Sequence, residues 1–160
     1  MSDSKILDKL TKFTVNGHTI ELSLPPTYRL VDILRDVLDL TGTKVACEVG
    51  RCGACSVIMN GKLVNSCLVM AYHLEDAEII TIESLSKEAL HPIQEAFLQA
   101  GALQCGYCTP GMVIALKSLL DNNSMPSKKD VINALSGNLC RCTGYEGILR
   151  AVDILENNQQ

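Results

Sequence analysis

The stretch "CEVGRCGAC", residues 47–55, sets Cys47, Cys52 and Cys55 in one short loop, with gaps of four and two residues between them. A fourth thiol, Cys67, follows after "SVIMNGKLVNS", in which Asn60-Gly61 is the strongest short signal for a β-hairpin. A hairpin returns its far end to its start, so Cys67 is predicted to rejoin the loop. Gly50 and Gly53 allow left-handed backbone there and leave bare N–H groups free to face sulfur.

The pattern C-x4-C-x2-C with one distant Cys is the plant-type spacing for a [2Fe–2S] cluster. Structural zinc is the alternative. It takes its ligands as pairs on two knuckles, or a pair with His, and a triple from one loop fits that poorly. His73 and His91 lie outside the spacing and are read as surface or packing residues.

A second set comprises Cys105-x2-Cys108 and Cys140-x-Cys142. Two close pairs also suit zinc, so spacing alone is less decisive here. The C-x-C gap is tight for a zinc knuckle, however, and both pairs fall at predicted helix ends. Amides at helix N-termini favour an anionic tetrathiolate centre.

Outward from the first loop, residues 12–24 form a predicted hairpin about Asn16-Gly17, ended by Pro25-Pro26. Leu30, Ile33, Leu34, Val37 and Leu38 recur at helical spacing, and Thr41-Gly42 stops that helix. Residues 55–59 and 62–67 make the second hairpin, and "EIITI", residues 78–82, a further strand. These elements predict a small α+β domain over residues 1–82. From residue 83 the pattern becomes helical, in "HPIQEAFLQA", "PGMVIALKSLL", "KKDVINAL" and "EGILRAVDILE". Pro110 suits a first helical turn with Thr109 as its N-cap, Ser127 with Asp130 resembles a capping box, and Gly137 closes that helix. Four short helices predict a compact bundle over residues 83–160, with "ENNQQ" as a frayed tail.

A hydrophobic fraction of 47% and a charged fraction of 20% over 160 residues describe a globular chain. A net charge of −4 without a basic cluster argues against nucleic acid, and aromatic content of 4% argues against base stacking. The N-terminus lacks a signal-peptide core, and no segment approaches the roughly 20 apolar residues of a membrane span. The expectation is a cytoplasmic chain with no membrane partner, where thiols stay reduced and eight cysteines call for metal.

"CEVGRCGACSV", "QCGYCTPGM" and "GNLCRCTGYEGI" together resemble the iron–sulfur subunit, or N-terminal domain, of the molybdenum hydroxylases, the xanthine dehydrogenase and aldehyde oxidoreductase family. The resemblance covers nearly the whole chain, and all eight cysteines keep the pattern. It implies an N-terminal β-grasp ferredoxin domain and a C-terminal four-helix bundle, each with one [2Fe–2S] cluster. It implies that Cys47, Cys52, Cys55 and Cys67 ligate one cluster and Cys105, Cys108, Cys140 and Cys142 the other. It further implies that Gln104 hydrogen-bonds a molybdenum-bound pterin and that the surroundings of Cys142 meet the pterin amino group. The implied partners are a molybdenum-pterin large subunit and an FAD-binding medium subunit in a hetero-oligomer. Pro110–Leu120 and Gly137–Gly147 would face the first, and Val45–Cys55 the second. Electrons would pass singly from molybdenum to flavin, with no acid–base or nucleophilic residue in this chain. A free-standing two-cluster ferredoxin is the competing reading.

Overall fold

The computed structural model describes residues 8–86, 89–123 and 126–157. The predicted fray at residues 158–160 lies outside them. Five strands form one mixed sheet in the order β2-β1-β5-β3-β4, comprising β1 (Lys9–Val15), β2 (His18–Leu24), β3 (Ser56–Met59), β4 (Lys62–Asn65) and β5 (Glu78–Ile80). β1 runs parallel to β5, and the other pairings are antiparallel.

Both Asn-Gly pairs make the expected two-residue turns, with positive φ at Asn16 (52°), Gly17 (83°), Asn60 (50°) and Gly61 (75°). That mirror-image turn matches strand twist, and its asparagines also tie down neighbouring backbone. The Asn16 carboxamide accepts from the Thr81 amide at 2.8 Å, and the Asn60 carboxamide accepts from the Glu78 amide at 2.8 Å.

Three expectations for the first half of the chain need correction. The strand of residues 62–67 stops at Asn65, because Ser66 turns back onto Cys55, its amide and hydroxyl donating to the Cys55 carbonyl at 3.2 and 2.7 Å. The strand of residues 78–82 ends at Ile80, and Ile82–Leu85 winds into a 3₁₀ turn. The first helix, α1 (Leu30–Asp32), widens into π-type turns over Ile33–Val37, where the Leu38 amide donates to the Ile33 carbonyl at 3.0 Å. This rotates the buried face, so Val31 is buried and Val37 is 43% exposed.

Four helices follow: α2 (Pro92–Gln99), α3 (Thr109–Asn122), α4 (Lys128–Leu135) and α5 (Glu146–Asn157). Pro110 sits in the first turn of α3 as expected, but Cys108, not Thr109, takes the N-cap position, and no side chain caps the helix. Ser127 and Asp130 do form a capping box on α4. That helix ends at Leu135, and Gly137 follows without a left-handed φ. Apolar on nearly every side, α3 is buried at Gly111, Met112, Val113, Ile114, Ala115 and Leu116. Within Pro110–Leu120 only Pro110, Lys117, Leu119 and Leu120 reach the surface in part, so most of the segment expected to face the large subunit is core.

Buried residues gather in two main cores. One joins Phe13, Leu30, Ile33, Leu34, Val57 and Ile79 under the sheet, and the other joins Phe97, Met112, Leu116, Ile148 and Val152 among the helices.

His91 has a role that its place in the sequence did not announce. It is the N-cap of α2, where its Nδ1 accepts from the Ile93 amide at 3.3 Å while its own amide donates to the Gln94 side chain at 2.9 Å. Burial, then repulsion from Lys117, holds its pKa below the ordinary value of 6.5. A cationic imidazole cannot accept that bond. The unfolded chain takes up the proton first, so the cap contributes fully above 6.5 and is lost as pH falls through the folded value. Denaturation should show less stability at pH 5 than at pH 7.5 from this source. A His91→Asn variant, which keeps a neutral acceptor, should flatten that part of the pH dependence.

Candidate metal centres

The loop carrying the first three cysteines is curled by three left-handed residues, Glu48 (φ 59°), Gly50 (72°) and Gly53 (66°). The curl turns amides inward, and the Arg51 N–H donates to Cys47 Sγ at 3.3 Å. Backbone amides of Val49 and then Arg51 pull the Cys47 thiol down to about 6, so it is a thiolate at neutral pH. Glu48 is held from outside. Arg29 spans its carboxylate at 2.5 Å and that of Asp32 at 2.6 Å.

Cys55 and Cys67 lie deeper, 4% and 3% exposed, packed with Val31 and Val45. Burial, then the neighbouring Cys55, pushes the Cys67 thiol up to about 11. The Ser66 turn that ended β4 is what brings these two together. At Gly50 the left-handed φ of 72° strains any larger residue, whereas the nearest side chain, the exposed Leu68, could move aside.

The second set closes in the same pairwise way. Gly106 (φ 77°) turns the chain between Cys105 and Cys108, and Cys108 then stands at the N-cap position of α3. Gly144 and Tyr145, both left-handed at 62° and 66°, lead the other arm into α5. A Cβ on Gly147 would come within 3.0 Å of Ala102 Cα and Gly101 O, so the start of α5 seats closely against the segment leading to Gln104. The arms meet with Cys142 Sγ 3.7 Å from Cys105 Sγ, and Cys108 beside Cys140.

Environment separates the members of this set. Burial, then Cys140, pushes Cys108 up to about 12. Burial also raises Cys140, but the Thr143 hydroxyl and amide outweigh it and bring the thiol down to about 7. Cys142 is raised by its contact with Cys105. Cys105 and Cys142 are exposed, as is Gln104 beside them.

These donors fit a binuclear iron–sulfur core. Every donor is a cysteine and none is in a disulfide. Two thiolates on one tetrahedral metal, with bonds of about 2.3 Å, stand about 3.8 Å apart, which the Cys105–Cys142 separation matches. Among the described residues no group of three or more His, Cys, Asp or Glu side chains is disposed to hold one ion. The thiols instead meet in pairs, as a core with two thiolates per iron takes them. His91 caps a helix and His73 stacks beside Tyr72, their centroids 4.0 Å apart.

The two sets are joined by backbone. The Leu139 amide donates to the Cys52 carbonyl at 2.9 Å, the Asn138 carboxamide donates to the Gly53 carbonyl at 3.0 Å, and Tyr107 Oη donates to the Val45 carbonyl at 2.7 Å. Gly111 lies against Gly53, where any Cβ would overlap the Gly53 carbonyl oxygen. Part of the Val45–Cys55 loop is therefore covered, and its exposed residues are Ala46, Glu48, Val49 and Arg51, with Val49 60% exposed. Asn138, Thr143 and Tyr145 stand inside the "GNLCRCTGYEGI" motif, which marked them without giving them roles.

Comparison with known proteins agrees with this arrangement. Residues 13–85 match a "2Fe-2S iron-sulfur cluster binding domain" and residues 81–153 a "[2Fe-2S] binding domain". The chain is 49% identical over 138 residues to the "Nicotine 6-hydroxylase small subunit" of Paenarthrobacter nicotinovorans, covering 86% of this chain and 84% of that one. It is 44% identical to the "Nicotinate dehydrogenase small FeS subunit" of Eubacterium barkeri, covering 91% and 94%. The solved quinoline 2-oxidoreductase of Pseudomonas putida 86 contains a chain that superposes with a TM-score of 0.87 at 43% identity, covering 91% of each. With eight paired thiols in two joined sites, and with relatives of this identity aligned along most of their length, the chain belongs to the [2Fe–2S] subunits of the molybdenum hydroxylase family.

Proposed function

We propose that the chain is the electron-transfer subunit of a heteromeric molybdenum hydroxylase, in which a partner hydroxylates a small substrate with water-derived oxygen and electrons leave singly, by way of this chain, to a flavin or other acceptor. One observation carries the reading. Two all-thiol quartets sit in one chain, joined by the Leu139–Cys52 hydrogen bond, and the second opens to solvent at Cys105 and Cys142. A [2Fe–2S] core held at each quartet supplies one-electron exchange.

The residues of the chain hold and shape those sites. Cys47, Cys52, Cys55 and Cys67 ligate the first core, and burial of Cys55 and Cys67 keeps water from that side. Cys105, Cys108, Cys140 and Cys142 ligate the second. Gln104, whose exposure beside Cys105 leaves it open to a partner, hydrogen-bonds the pterin in this reading, and the surroundings of Cys142 meet its amino group. The molybdenum-pterin large subunit then covers the exposed residues about Gln104, Tyr107 and the Gly137–Gly147 loop. The flavin-binding medium subunit approaches the open Glu48–Arg51 turn. Residues 1–82 act as a β-grasp ferredoxin unit and residues 83–160 as a helical bundle, in a cytoplasmic hetero-oligomer. No described helix is long and apolar enough to cross a membrane. The substrate class is a purine, an aldehyde or a heteroaromatic acid, recognised by the large subunit.

Purifying the native assembly through a tag on this chain should bring down molybdenum- and flavin-containing subunits. It should carry about four iron and about four acid-labile sulfide per copy of the chain. Recovery of the chain alone with its iron would support the free-standing ferredoxin instead. A colourless chain with about two zinc ions would overturn both.

A further inference from the structure

The geometry points to Thr143 as the residue that raises the reduction potential of the second cluster, through its side-chain hydroxyl on Cys140. This rests on the reading of Cys105, Cys108, Cys140 and Cys142 as a [2Fe–2S] site.

The hydroxyl is fixed on both sides. Thr143 Oγ1 accepts from the Tyr145 amide at 3.2 Å and lies 3.1 Å from Cys140 Sγ. A hydroxyl has one hydrogen and two lone pairs. With a lone pair engaged by the Tyr145 amide, its hydrogen is free to point at sulfur. Tyr145 is itself anchored, since its phenolic oxygen accepts from the Cys140 amide at 2.8 Å and donates to the Asn138 carbonyl at 3.2 Å. A short ring of contacts thus closes from Cys140 through Tyr145 and Thr143 back to Cys140. Its left-handed turn at Gly144 and Tyr145 folds the Tyr145 amide back onto that hydroxyl.

The chemistry gives the sign. Reduction adds one electron and one negative charge, part of which resides on the ligating sulfurs. A hydrogen bond to a sulfur therefore stabilises the reduced state more than the oxidised one and raises the potential. The Thr143 amide also donates to Cys140 Sγ, at 3.4 Å, and the Arg51 amide donates to Cys47 at the first site. Those are backbone donors that side-chain substitution leaves in place. The hydroxyl is separable, and it acts on one quartet. Thr143 is in this sense a positioning residue that works through Cys140.

The test is an EPR-monitored redox titration of the purified complex with dithionite as reductant, on wild type, Thr143→Val, Thr143→Ala and Thr143→Ser. Val keeps the shape and the amide, and Ser keeps the hydroxyl. At a fixed ambient potential, Val and Ala should lower the reduced-to-oxidised ratio of one cluster about ten-fold, equivalent to about 59 mV for one electron. The other cluster should not move, and Ser should restore the wild-type value. An unshifted potential in Val and Ala with both signals present would overturn the assignment. So would loss of the cluster in both, with iron retained in Ser, because the hydroxyl would then serve assembly. Absence of any [2Fe–2S] signal in wild type would overturn the functional reading itself.

Discussion

A Gly111→Ala variant is expected to be less stable than the wild type by about 1–3 kcal/mol, the range for forcing extra volume into a packed site. At an ordinary helical position the change would help by about 0.5–1 kcal/mol, because glycine loses more backbone freedom on folding. Here the new methyl meets the Gly53 carbonyl oxygen, and Asn138 Nδ2 stands 3.2 Å away. Neither neighbour yields readily. The oxygen belongs to backbone at a left-handed residue, and the amide is buried, 3% exposed, with that same oxygen as its acceptor. Gly137→Ala is the control, with no atom within 4 Å and no left-handed φ. It should stay within about 0.5 kcal/mol of wild type. Chemical denaturation of the assembled protein measures both. A Gly111→Ala variant as stable as wild type would show that helix and loop do not press together in solution.

Single replacements in the two quartets should act separately. Cys67→Ala and Cys140→Ala are each expected to remove one [2Fe–2S] centre, halving iron from about four to about two per chain and erasing one of two EPR signals. No cysteine is shared between the sets: the close partners of Cys67 are Cys55 and Cys47, and those of Cys140 are Cys108 and Cys142. The surviving signal in each variant also identifies the cluster that Thr143 shifts. Loss of both signals from either variant, with circular dichroism unchanged, would mean that the thiols are not partitioned in this way. Retention of both would mean that the replaced cysteine is not a ligand.

Legibility in the sequence followed the range of each interaction. Asn16-Gly17 and Asn60-Gly61 announced their turns because both residues tolerate positive φ, a property that needs no partner. The cysteine spacings were legible for a similar reason, since a loop of fixed length delivers its thiols together. What escaped involved partners far along the chain or a local rule overridden by packing. The Asn138–Gly53 contact joins residues 85 apart, and nothing near either one signals it. The helical spacing of Leu30–Leu38 was sound, yet the widened turns moved Val37 outward and left Val31 beside Cys55 and Cys67. α3 was recognisable as a helix, but its position at the centre followed only from the unbroken buried run Gly111–Leu116, which covers nearly every side of its first half. Thr143 was visible as a letter beside Cys142. The Tyr145 amide that fixes its hydroxyl reaches it only through the left-handed turn that follows.

The Leu139–Cys52 hydrogen bond has an electronic side as well as a mechanical one. An electron tunnelling through protein is attenuated least along covalent bonds and hydrogen bonds, and most across open gaps. From Cys52 the path runs through its own carbonyl, crosses 2.9 Å to the Leu139 amide, and is one peptide unit from Cys140. With a [2Fe–2S] core held at each quartet, the same bond that helps keep the two halves in register would also be part of a short bonded route between them. Of the three hydrogen bonds that join the two sets, this one stands nearest a thiol of each quartet, so a change that loosens the joint there also lengthens the bonded route between the quartets.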